Sequence, residues 1–148
     1  MKKIIFILLS FSIISNATLI RNSEEVVEDS NTSLHWDDKN YDDVDNDSKS
    51  KLSNNFEDAI NFCEDLVLDS HDDWRLPNVN ELKTIVDISK YNPSIDGNFT
   101  NTDSYYYWTS TTNIKNTSKI FSINFGNGII SSINKDGKYN IRCVRFAK

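Results

Sequence analysis

Two cysteines set the tightest condition on how this chain can fold. Cys63 lies on an apolar helical face: Phe56, Ala59, Ile60, Cys63, Leu66 and Val67 fall at i, i+3, i+4, i+7, i+10 and i+11, one side of a 3.6-residue period. Cys143 lies 80 residues later, in the β-prone run "YNIRCVRF" that closes the sequence. The first 17 residues read as a secretory signal: Lys2 and Lys3, an apolar run of 11 residues from Ile4 to Ile14, then Ser15-Asn16-Ala17 with small residues at −3 and −1. The apolar run is too short to cross a bilayer core of about 30 Å as a helix, and no cysteine follows it to carry a lipid. In an exported chain an even cysteine pair is usually a disulfide. Two free thiols and metal ligation are the alternatives, and the second lacks the CxxC or CxxH spacing of a zinc site. A bond between Cys63 and Cys143 would staple a helix to the last strand. The loop it closes is long enough for roughly 4 kcal/mol of stabilisation in the chain-entropy model.

Cleavage after Ala17 leaves a single domain over 18–148, with no other stretch of membrane-spanning length. Removing Lys2 and Lys3 leaves 14 basic and 22 acidic side chains, a formal charge of −8. Such a chain repels phosphate backbones, anionic membranes and sulfated polysaccharides, so nucleic acid is excluded as a partner. The acidity is concentrated in 37–55, which has no apolar periodicity and reads as a solvated loop.

Asn54 with Glu57 suggests a capping box for the first helix, which is expected to reach Val67. A second helix is expected after Pro77. Asn78 can cap it with Glu81 three residues on, and Leu82, Ile85 and Val86 form its apolar stripe, until "NPSIDGN" ends it. Earlier in the chain, Val26-Val27 is a candidate strand and "SLHW" at 33–36 a brief apolar point. Later, "YYYWTSTT" is β-prone. "KIFSINF" alternates, with Phe121, Ile123 and Phe125 on one side and Ser122 and Asn124 on the other. "GNG" at 126–128 signals a hairpin, "IISSI" returns, and "KDGK" offers another tight turn before the closing strand. Helices followed by an antiparallel meander imply an α+β class.

These segments together resemble the Lcl C-terminal domain family, a bacterial family with a C-type-lectin-like fold. The resemblance runs from about Val26 to Phe146. It is carried by "VVEDSNTSLHWDD", "FEDAINFCEDL", "DDWRLPNVNEL", "YYWTSTT" (with Thr109 in place of a Ser), "FSINFGNGII" and "IRCVR". It implies two helices packed on antiparallel sheets, pairing of N- and C-terminal strands, and a helix-to-strand disulfide.

The sites are sparser. Sugar-binding C-type lectins hold calcium through Glu-Pro-Asn or Gln-Pro-Asp and Trp-Asn-Asp stretches. Here Pro77-Asn78 precedes a helix, and Thr109 and Ser110 follow Trp108. "DVDND" at 43–47 starts like a calcium loop, but Ser48 replaces the turn glycine and no Glu closes the frame. No metal and no cofactor is therefore expected. His35 and His71 each neighbour an aspartate, but no HExxH, GxSxG or phosphate-cradling loop appears, so no catalytic residue is assigned. The lectin-like fold also includes the oxidase that generates formylglycine using active-site cysteines; Cys63 and Cys143 are better read as a bridge. Tyr105 and Tyr107, on one face of a strand, and Arg75, unexplained in "DWRLPN", are the candidate ligand-binding residues. Asn31 and Asn98 each follow an acidic residue at −2 and precede Ser or Thr at +2, the extended pattern of bacterial N-glycosylation. The function expected is an exported, non-enzymatic binding module, in the periplasm, on the outer surface or secreted. Its partner would be a glycan or an envelope or host protein. An envelope structural or inhibitory protein is the alternative, and an oxidoreductase of the formylglycine-generating type a more distant one.

Overall fold

A computed structural model of the protein describes residues 19–40, 52–53 and 55–147. The expected signal segment and most of the acidic loop, with its "DVDND", lie outside the described residues. Strands β1 (Leu19–Arg21), β2 (Val26–Asp29) and β3 (Leu34–Asp37) form a meander, and β4 (Leu52–Ser53) follows. Helices α1 (Phe56–Glu64) and α2 (Val79–Lys83) come next, then β5 (Tyr106–Thr112), β6 (Lys119–Asn124), β7 (Ile129–Asn134), β8 (Tyr139–Asn140) and β9 (Val144–Phe146). The strands make two sheets, in the orders β1-β2-β3-β9 and β4-β8-β5-β6-β7. All pairs are antiparallel except β5 with β8, which share one parallel bridge, Tyr107 to Asn140. The expected α+β class thus holds, with two helices on antiparallel sheets.

Two buried clusters use opposite faces of the strands. One gathers Val26, Ala59, Cys63, Trp74, Trp108, Ile120 and Cys143. The other gathers Val27, Trp36, Leu82, Ile85, Tyr107, Ile123, Phe125 and Val144. Neighbours in sequence therefore go to different clusters: Val26 and Val27, or Tyr107 and Trp108. The alternation of "KIFSINF" is real, but Ser122 is buried too and donates to Ser131 O at 3.2 Å.

The disulfide joins Cys63 on α1 to Cys143 just before β9, with both residues fully buried and Cα atoms 5.5 Å apart. It crosses from the helix to the strand that pairs β3 through Leu34–Phe146, His35–Arg145 and Trp36–Val144. Arg75 ties in as well, exchanging main-chain bonds with Val144 at 2.9 and 2.8 Å.

Several expectations need correction. The cap of α1 is Asn55, not Asn54; its side chain accepts from Asp58 N–H at 3.0 Å. That helix ends at Glu64 and leaves Val67 70 % exposed. Its last turn carries no basic residue, and acidic side chains there oppose the helix dipole. On α2 the Asn78–Glu81 capping box forms as expected, but the helix stops at Lys83. "YNIRCVRF" is two strands in different sheets, because Arg142 between them turns inward to bond Asp37 O, Asp38, Asn101 O and Thr102. Asp37 and Asp38, assigned to a solvated loop, are 3 % and 2 % exposed.

Candidate functional site

The exposed end of β5 carries the residues most suited to bind something. Tyr105 precedes the strand, is 45 % exposed, and lies with Tyr106 and Tyr139 in one aromatic group. Tyr105 and Tyr139 are 6.0 Å apart between centroids at 31°, while Tyr106 meets both edge-on, at 5.5 and 5.8 Å. Offset and edge-to-face contacts are the geometries that the ring quadrupole favours. The group rests on the core, since Tyr139 packs edge-on to Trp108 at 5.0 Å and Trp108 meets Phe56 at 5.6 Å. Burial, then the adjacent Tyr105 and Tyr106, raises the Tyr139 hydroxyl above its ordinary 10.0, so it remains a neutral donor.

Gly137 sets the position of Tyr139. The turn after β7 closes with Gly137 N–H donating to Asn134 O at 3.1 Å, and the ring lies against the glycine. At the Phe56 end an open cleft of about 630 Å³ lies between the start of α1 and that same turn. Phe56 and Ile60 give it an apolar wall; Asn55, Glu57, Lys135 and Asp136 give it polar groups. Phe56 N–H donates to Lys135 O at 2.9 Å, and Lys135 Nζ lies 5.4 Å from the Phe56 ring centroid. The cleft is edged by one cation and two carboxylates, and Tyr105, Tyr106 and Tyr139 beyond the buried Trp108 offer hydroxyls and ring faces. That set can stack on, and hydrogen-bond to, a polyhydroxylated ligand.

The titratable groups of the interior are engaged in holding the fold. Asp38 accepts from Arg142 at 2.9 Å, from Arg21, and from Thr100 N–H at 2.8 Å. Burial would push its carboxyl up, but Arg142 and these donors outweigh it and hold it below the ordinary 3.8. The Arg142 guanidinium also lies 4.7 Å from the Phe99 ring and 5.8 Å from that of Tyr107. Arg145 bonds Asp73 at 2.6 Å and His35 Nδ1 at 3.0 Å. That histidine is an acceptor: burial lowers its pKa below 6.5, Glu28 opposes the shift, and Arg145 reinforces it. The main chain of His71 is bridged to Leu68. Among the described residues, no three of His, Cys, Asp and Glu converge as metal ligands.

The predicted site residues separate. Tyr105 is exposed, but Tyr107 is 1 % exposed and its hydroxyl accepts from Asp103 N–H at 2.9 Å. A shared Tyr105–Tyr107 surface does not form, because β5 starts at Tyr106 and core covers the Tyr107 side. Arg75 grips Glu81 with both terminal nitrogens, at 2.8 and 2.7 Å. The same carboxylate accepts from Asn78 N–H at 2.8 Å, so Arg75 braces the α2 cap. Burial would raise the Glu81 pKa, but these bonds outweigh it and lower it below 4.5. Asn31 lies exposed on the β2–β3 turn, while Asn98 donates its amide to Leu19 O and Asp96, each at 2.9 Å. Sequence reasoning missed Tyr106 and Tyr139, which meet where β8 pairs with β5, and Phe56, which reaches Tyr139 through Trp108.

The model of the Lcl C-terminal domain matches residues 25–145. No curated protein matches the chain. Among the described residues, no helix is long and apolar enough to cross a membrane.

Proposed function

Because the chain belongs to the Lcl C-terminal domain family, we propose that it is an exported, non-enzymatic binding module that takes neutral glycans on its tyrosine surface. The observation that carries this reading is the cluster Tyr105–Tyr106–Tyr139, open to solvent at Tyr105 and braced from beneath by Trp108. Aromatic faces suit the apolar faces of sugar rings, and phenolic hydroxyls suit their edges. The acidic charge of the chain disfavours uronic and sulfated sugars, which leaves neutral ones. A buried disulfide fits an oxidising compartment, hence export. The two sheets and terminal strand pairing are compatible with a C-type-lectin-like fold, here binding without calcium.

A glycan array probed with the mature chain, with and without calcium, tests this. The expected result is binding to neutral glycans, unchanged by a chelator and weakened about tenfold or less by Tyr105→Ala, the worth of one ring contact. An array silent toward neutral glycans at high protein concentration would refute the reading. Weight would then move to a protein partner, sought by pull-down from envelope extract.

A further inference from the structure

We infer that Asn31, on the turn between β2 and β3, is a glycosylation site. Only Asn31 and Asn98 in the sequence have an acidic residue at −2 and a hydroxyl at +2: Asp29 and Ser33 about the first, Asp96 and Thr100 about the second. An acceptor asparagine belongs on a surface turn, because the added sugar is bulky and hydrated. The fold meets that condition at Asn31. The residue is exposed, and among the described residues its side chain bonds nothing; its main-chain N–H donates to Asp29 Oδ1 at 2.9 Å. The second Asp29 oxygen accepts from the Thr32 hydroxyl at 2.7 Å. Asp29 is 4 % exposed, so it builds the turn from within, while the Asn31 amide and the exposed Ser33 stay outside it. Beside them Thr32 and Leu34 line an open groove of about 420 Å³ together with Phe146, which is 56 % exposed. A sugar on this turn has room and an aromatic surface in the same groove.

Asn98 fails the same condition. Its amide donates to Leu19 O and to Asp96 Oδ1, each at 2.9 Å, and its carbonyl accepts from Arg21 at 3.1 and 2.9 Å. A glycosylated amide keeps one N–H, so a sugar there would break at least one of the amide's bonds. Asn116, with Ser118 at +2, is exposed but has Ile114 rather than an acid at −2, and its Oδ1 already accepts from the Ser118 hydroxyl at 2.6 Å. The donor for Asn31 is an oligosaccharide carried on a polyprenyl diphosphate. The amide nitrogen forms a bond to the anomeric carbon, and the bond from that carbon to the diphosphate oxygen breaks. The diphosphate leaves with the electron pair, and the amide loses one proton. Such transfer serves exported chains, so the inference rests on the export proposed above. The closed turn engages the Asp29 carboxylate, so a transferase that reads it acts before β2 and β3 close, or opens their turn.

Mass spectrometry of the chain isolated from the envelope of the cells that make it tests the assignment. Trypsin releases Asn31 in peptide 22–39 and Asn98 in peptide 91–115. The expected result is one oligosaccharide on 22–39 and none on 91–115. Asn31→Gln and Ser33→Ala should each remove the added mass, with a native fold by circular dichroism. An envelope chain that begins at residue 18 and carries no sugar on 22–39 would overturn the inference and leave the export reading intact. So would a sugar retained by natively folded Ser33→Ala, or one found on 91–115 instead. A chain that keeps residues 1–17 and stays in the cytosol would overturn both.

Discussion

The ring of Tyr139 lies across Gly137 so closely that a Cβ on the glycine would sit 2.2 Å from Tyr139 Cε2 and 2.7 Å from Cζ. Real Cβ atoms do not approach that near, so Gly137→Ala must move the ring. The backbone of Gly137 is outside the left-handed region, and the cost is therefore steric. Overpacking of this kind costs about 1–3 kcal/mol where the ring cannot swing freely. We expect a lower melting temperature, and weaker glycan binding if the tyrosine surface is the site. An unchanged melting temperature together with an unchanged tyrosine environment in near-ultraviolet circular dichroism would contradict the contact.

Arg142→Ala should be far more damaging than a surface arginine change. The guanidinium is 2 % exposed and its partner Asp38 is fully buried. Removing one member of a buried pair leaves the other uncompensated and costs about 3–5 kcal/mol. Arg21 still reaches Asp38, which favours the lower half of that range. Urea unfolding monitored by tryptophan fluorescence would measure it; a loss below about 1 kcal/mol, the worth of an exposed pair, would show that the network is dispensable.

Cys63→Ala should lower the melting temperature by on the order of 10 °C or more, from a loss of roughly 4 kcal/mol. The bridge spans 80 residues, so its removal frees much of the unfolded chain. Reduction of the native protein should reproduce the effect. Intact mass before and after alkylation checks the premise, since two alkylated thiols in the oxidised protein would remove it.

Stability should fall with acidification in two stages. His35 has its folded pKa lowered below 6.5, chiefly by burial and further by Arg145, so the unfolded chain binds the proton more readily. Its contribution is complete above pH 6.5 and is lost as pH drops through the folded value. Asp38 and Glu81, also lowered, add a second loss below their ordinary 3.8 and 4.5. His35→Gln should flatten the first stage and leave the second. Equal slopes for wild type and variant from pH 6.5 downward would show that His35 is not responsible.

Local signals carried some of this structure and long-range pairing the rest. The Asn78–Glu81 box, the 126–128 hairpin and the buried side of Cys63 follow from spacings of a few residues. The inward turn of Arg142 does not, because Asp38 is 104 residues away in the sequence. Nor does the burial of Tyr107, since alternation gives a residue's face but not whether that face is covered. Tyr105 was legible as an exposed aromatic. Its companion Tyr139 was not, because β8 reaches β5 through a single parallel bridge that no local pattern announces. Arg75 reads from the sequence as a ligand-binding candidate because its partner Glu81, six residues along, is already assigned to the cap.

Strand β9 also has a bearing on timing. Until the segment 142–146 is in place, β3 has no outer neighbour, Cys63 has no partner, Arg75 has no strand to bridge and Asp38 lacks Arg142. Folding this dependent on distant pairings is slow compared with local helix formation. The fold therefore locks late, when the segment 142–146 reaches partners as many as 110 residues earlier in the sequence. Under the export proposed above, such late locking would suit a polypeptide that threads a narrow pore before it folds.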